Sequence, residues 1–87
     1  MDVVVRHNPH VSFRSFDGEA VVVDTQRNVV RMLNEVGSRI WELIDGERNS
    51  KQIARCLVDE YDVTLSQAEE EVNQFIDLLE QRHLLSR

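Results

Sequence analysis

The chain has 87 residues, 41% hydrophobic and 30% charged, with a formal net charge of −6 at pH 7. A domain this small buries only about 60–65% of its unfolded surface, which excludes a cofactor domain joined to a substrate domain. Its single cysteine, Cys56, excludes an internal disulfide and a multi-cysteine zinc site.

No apolar run approaches the roughly 18 residues of a membrane span, and the start MDVVVRH is too short an apolar segment for a secretion signal. A cytoplasmic protein without a membrane partner is expected. The charge is unevenly spread. Residues 1–33 carry four basic side chains (Arg6, Arg14, Arg27, Arg31) and four acidic ones, whereas residues 34–87 carry six basic and twelve acidic. An acidic surface repels phosphate backbones, so protein or peptide partners are expected before nucleic acid.

Residues 1–10, with His7 and His10 around Pro9, read as a solvated N-terminal arm; two histidines alone make a poor metal site. Val11–Phe16 alternates apolar and polar residues as a strand does, and Asp17-Gly18 supplies a tight hairpin turn. Glu19–Asp24 is a β-branched run, Thr25–Asn28 a polar turn, and Asn28–Leu33 a third short apolar run, its strand carrying Val29, Val30, Arg31, Met32 and Leu33. Together residues 11–33 predict an antiparallel meander whose first and third strands are edges. An edge strand with free N–H and C=O groups is either protected or used.

Residues 34–85 read as three helices. Asn34 can cap the first, whose apolar positions Val36, Ile40, Leu43 and Ile44 recur at helical spacing, with Asp45-Gly46 ending it. Ser50 is the predicted cap of the second, with Ile53, Leu57 and Tyr61 on its buried stripe. Ser66-Gln67-Ala68-Glu69 reads as the capping box of the third, over Ser66–Gln81, followed by Ala68, Val72, Phe75, Ile76 and Leu79. Leu84-Leu85 is expected to seal the end of the core. The fold class is therefore α+β: a three-stranded antiparallel sheet followed by three helices, winged-helix-like, in one domain spanning residues 1–87.

The chain shows no catalytic constellation. Cys56 reads as a small hydrophobe beside Ile53 and Leu57, with no facing base to activate it. Glu69, Glu70 and Glu71 suit the positive end of a helix better than a calcium loop, which needs spaced oxygen ligands and a central Gly. Phosphate-loop and nucleophile-elbow motifs are absent. Trp41 reads as core. No catalytic residue, cofactor or metal is assigned. The third strand is more informative, because both of its faces carry apolar side chains apart from Arg31. One face must pack on the helices, and the open edge can accept a peptide strand.

From Asp17 to Leu85 the chain resembles the pyrroloquinoline quinone synthesis protein D (PqqD) family. The resemblance rests on Asp17-Gly18 with the Val21–Asp24 strand, Leu33-Asn34, Gly37, and Ile40-Trp41-Glu42-Leu43-Ile44-Asp45-Gly46. Ser50, Ile53-Ala54, Tyr61-Asp62-Val63 and the Val72, Phe75, Leu79 segment continue it. The resemblance implies a non-catalytic peptide chaperone, or RiPP recognition element. Such a protein binds the leader region of a ribosomally made precursor peptide and presents it to a modifying enzyme, often a radical SAM protein. It also implies that the peptide adds a strand along Val29, Val30, Arg31, Met32 and Leu33, with Gln74, Leu78 and Arg82 as the facing wall. His83 stands where the family commonly has Gly. Two other readings stand beside this one: a winged-helix DNA-binding regulator, and a structural homodimer joined through the open edge. Against the first, Ser66–Gln81 carries Glu69, Glu70, Glu71, Asp77 and Glu80 and no Lys or Arg.

Overall fold

The Asp17-Gly18 turn sets the register of the sheet. Both residues take positive φ, 50° and 75°, a conformation that suits the right-handed twist of a two-residue hairpin and that Gly adopts without strain. In the computed structural model, which describes residues 4–87, the turn joins β2 (Val11–Phe16) to β3 (Glu19–Asp24), after a short β1 (Arg6–His7). A second turn leads to β4 (Val29–Leu33), the third strand of the meander, and the sheet order is β2-β3-β4. Asp24 shapes that second turn: its Oδ1 accepts the Gln26 and Arg27 amides at 3.0 and 3.2 Å. Its Oδ2 lies 3.3 Å from His10 Nε2 and 3.7 Å from Arg27 Nε, so the buried carboxylate has an imidazole and a guanidinium beside it.

The pairing places Ala20 opposite Leu33, Val22 opposite Arg31 and Asp24 opposite Val29. Ala20, Val22 and Asp24 are fully buried, so their face of the sheet covers the helices and Val29, Arg31 and Leu33 share it. Val30 and Met32 point the other way and are 67% and 66% exposed.

Three helices follow: α1 (Glu35–Leu43), α2 (Ser50–Glu60) and α3 (Leu65–Gln81). Asn34 caps α1 as expected, its Oδ1 accepting the Gly37 amide at 2.8 Å. The other two caps differ from the sequence reading. Asn49, not Ser50, caps α2, and Thr64, not Ser66, caps α3; each forms a capping box with a glutamine three residues on, Gln52 and Gln67. In both cases the residue with extended backbone, whose side chain reaches the third helical amide, precedes the expected serine. Helix α3 thus begins earlier than expected, and Glu69–Glu71 lie in its second turn, outside the strongest reach of the helix dipole.

The apolar stripes of the three helices meet under the sheet around Ile40, Trp41, Ile53, Leu57, Val72, Ile76 and Leu79. Cys56 is half-buried against this cluster. Leu84 and Leu85 close it from the C-terminal side, with exposures of 0% and 3%.

The expectation of a solvated N-terminal arm is corrected. Met1–Val3 lie outside the described residues, but Val5 is fully buried, and β1 pairs antiparallel with β5 (Leu85–Ser86), Arg6 opposite Ser86 and His7 opposite Leu85. The His7 ring stacks on Trp41 at 3.8 Å between centroids, edge-on to Phe13 at 5.2 Å. Its Nε2 lies 2.9 Å from the Trp41 carbonyl; a carbonyl only accepts, so Nε2 carries the proton. Burial lowers the His7 pKa, partly opposed by that hydrogen bond. The arm is held because an aromatic surface and a second strand await it, and neither is adjacent in sequence.

Candidate peptide-binding groove

The open edge of β4 is bordered by a groove that starts with local chain geometry. Strand β4 ends at Leu33 and the next residue already caps α1, so no loop intervenes between sheet and helix. Ser38, on the second turn of α1, locks this corner: its buried Oγ accepts the Ala20 amide at 2.6 Å and donates to the Leu33 carbonyl at 3.1 Å. The first turn of α1 then forms the floor of the groove, and α3 forms its far wall.

Gly37 sets how closely the wall approaches. A Cβ at this position would lie 3.1 Å from Asn34 Oδ1 and 3.2 Å from Phe75 Cε1, both tighter than ordinary van der Waals contact. The missing side chain lets the Phe75 ring rest on the backbone of α1. Two adjoining depressions result, of about 350 and 500 Å³, sharing Asn34, Gly37, Phe75 and Leu78. Val30, Arg31, Met32 and Leu33 line the one beside β4; Val36, Ile40, Glu71 and Gln74 line the one over α1.

Of the residues expected at the site, Val30, Arg31, Met32, Leu33, Gln74 and Leu78 are thus brought together. Val29, at the start of β4, and Arg82, the residue that caps the C-terminus of α3, are not in the lining. Sequence reasoning placed Phe75 in the buried stripe, whereas the structure leaves it half-buried in the wall. It missed Asn34, Val36, Ile40 and Glu71 altogether. Gly37 was visible as a glycine in the first turn of an otherwise regular helix, and a close approach is the usual reason for one there.

Two further depressions lie outside the groove, one of about 460 Å³ on the outer face of β2 and β3 beside Phe13, Phe16 and Val21. A cavity of about 290 Å³ at the β2–β3 hairpin is lined by Asp17, Glu19, Glu35, Arg39, Glu42 and Tyr61, among others. Arg39 is occupied there, its guanidinium donating to both carboxylate oxygens of Glu60 at 2.6 and 2.8 Å. This contact holds the Glu60 carboxyl below its ordinary pKa. Among the described residues no group of three or more His, Cys, Asp or Glu side chains is placed to hold a metal ion. No helix among them is long and apolar enough to cross a membrane.

A small antiparallel sheet lying on three helices, with its β4 edge bordered by a groove under α3, defines a strand-and-groove recognition domain. The chain belongs to the family described as Coenzyme PQQ synthesis protein D (PqqD), which it matches over residues 19–85. Its fold is that of TbiB1, solved in complex with the TbiA(beta) leader peptide: TM-score 0.87, 27% identity, covering 93% of this chain and 94% of that one. A lasso peptide synthetase B1 complexed with its leader peptide is equally similar in fold, with a TM-score of 0.87 at 20% identity over 98% and 100% of the two chains. The PqqD truncation of Methylobacterium extorquens PqqCD, described as a stand-alone RiPP recognition element, has a TM-score of 0.80 at 23% identity over 97% and 89%. No curated protein matches at the sequence level.

Proposed function

We propose that this chain is a non-catalytic, cytoplasmic peptide chaperone. It binds the leader region of a ribosomally made precursor by strand addition at β4 and presents the precursor to a modifying enzyme of the radical SAM class. The observation that carries this reading is the β4 edge, unpaired over Val29–Leu33 among the described residues, running beside a groove lined by Met32, Leu33, Phe75 and Leu78. Main-chain hydrogen bonds along such an edge supply affinity for any extended peptide, and the groove supplies selectivity. That TbiB1, at 27% identity, was solved with a leader peptide supports the same reading. Duplex DNA is disfavoured as a ligand because α3 presents acidic side chains without a single Lys or Arg.

The test uses peptides selected from a random 15-residue display library on the wild-type protein. In an antiparallel strand, successive residues point their N–H and C=O alternately to the two sides. Of Val30 and Arg31, one therefore faces the free edge and the other pairs with β3. Proline removes the donor at either position. The proline variant that keeps its circular dichroism spectrum should lose the selected peptides. Shifts in ¹⁵N spectra of the wild-type protein should cluster on Val29–Leu33, Phe75 and Leu78. Retained binding by the folded proline variant, or shifts confined to α2, would overturn the reading. Doubling of the mass by light scattering with no peptide selected would favour the homodimer instead.

A further inference from the structure

The groove is charged differently at its two ends. Helix α3 borders both depressions: Glu71 and Gln74 lie with Val36 and Ile40 in the one over α1, Phe75 and Leu78 line both, and Arg31 lies only in the one beside β4. Arg31 therefore stands at one end and Glu71 at the other, with Leu33, Phe75 and Leu78 between them.

Arg31 is unusual for its position. It interrupts an otherwise apolar strand, sits on the inward face opposite fully buried Val22, and is half-buried. Arg27, Arg39, Arg48 and Arg87 all have carboxylate partners, whereas Arg31 has none among the described residues. No Asp or Glu lines the depression it occupies. A partly desolvated guanidinium without a counter-ion favours any ligand that brings a carboxylate in fork-to-fork geometry. Glu71, exposed and also without an ion pair among the described residues, favours a cation at the opposite end.

We infer that the groove reads the order of charges along its peptide: Asp or Glu beside Arg31, an apolar side chain over Phe75 and Leu78, and Lys or Arg beside Glu71. Arg31 is then a specificity-determining residue, and the charge order fixes the direction in which the peptide lies against β4. The inference rests on the strand-addition reading above.

The same display library, selected in parallel on the wild-type chain and on Arg31→Glu, Arg31→Gln and Glu71→Arg, tests it. Wild-type binders should carry acidic residues on one side of an apolar residue and basic residues on the other. Arg31→Glu should replace the acidic preference by a basic one, and Glu71→Arg should invert the other end. Arg31→Gln, the milder change if Arg31→Glu fails to fold, should erase the acidic preference and weaken a wild-type-selected peptide about tenfold. Binders that need the open edge, as shown by the proline variants, but have no charge order overturn this inference and leave strand addition intact. An order unchanged by Arg31→Glu or Arg31→Gln does the same. Binders indifferent to the proline variants, or no binders at all, overturn strand addition and this inference with it.

Discussion

Replacing Ser38 by alanine should destabilise the domain by about 2 kcal/mol, a large effect for the loss of one oxygen atom. The hydroxyl is buried and satisfies two main-chain groups at once, the Ala20 amide at 2.6 Å and the Leu33 carbonyl at 3.1 Å. Without it the Ala20 N–H has no water to turn to, and a stranded buried donor costs about 1–3 kcal/mol. The Leu33 carbonyl loses its hydroxyl donor, adding roughly 0.5–1 kcal/mol. Against this, alanine is the better helix former by about 0.5 kcal/mol. For a domain of this size, a net loss of about 2 kcal/mol lowers Tm by roughly 8–16 °C. Thermal melts followed by circular dichroism, with urea titrations to confirm an unchanged m-value, measure it. A Tm within about 3 °C of wild type would mean that water or a relaxed backbone replaces the hydroxyl, and that Ser38 does not lock the corner where β4 meets α1.

Two further predictions concern the ends of the chain. His83 takes φ 61° just after α3, while its amide bonds to the Glu80 carbonyl and the Leu84 amide to the Leu79 carbonyl, the pattern of a Schellman cap that glycine fills without strain. His83→Gly should therefore raise stability by about 0.5–1 kcal/mol in denaturant titrations, and a loss would show that the imidazole makes a contact worth more than the strain. His7 has a lowered pKa in the folded protein, so the unfolded chain binds its proton first as the solution is acidified. The associated stability is complete above the unfolded value of about 6.5, is lost as pH falls from there to the folded pKa, and then levels off. His7→Phe keeps a ring against Trp41 and should flatten this part of the Tm profile; parallel profiles for the two proteins would refute the assignment.

The meander and three helices were legible because their signals are local. Asp17-Gly18 marks a turn wherever it is met, and Val36, Ile40, Leu43 and Ile44 can share a face only in a helix. The β4 edge was legible for a related reason: five residues with apolar groups on both faces cannot all be buried by one layer of helices. Caps were misplaced by a residue or two because Asn49 and Ser50, or Thr64 and Ser66, are chemically equivalent candidates that only the backbone distinguishes. The N-terminal arm was misread for a deeper reason. Nothing near His7 in sequence announces Trp41 or Leu85, and a two-residue strand has no periodicity. The same holds for the α3 wall of the groove, where Phe75 belongs by spacing to the buried stripe and is half-exposed only because Gly37 lets it lie against α1.

The pairing of Arg6 with Ser86 joins positions eighty residues apart, so this contact closes almost the whole chain into a ring. During synthesis β1 leaves the ribosome before the sheet and the helices, and its partner β5 follows them. Until then the faces of Trp41 and Phe13 that His7 covers lack their lid. The sheet and helices can assemble in the order they leave the ribosome, but the β1–β5 pairing forms only once both strands are present, and with it the burial of Val5, Leu84 and Leu85 is completed.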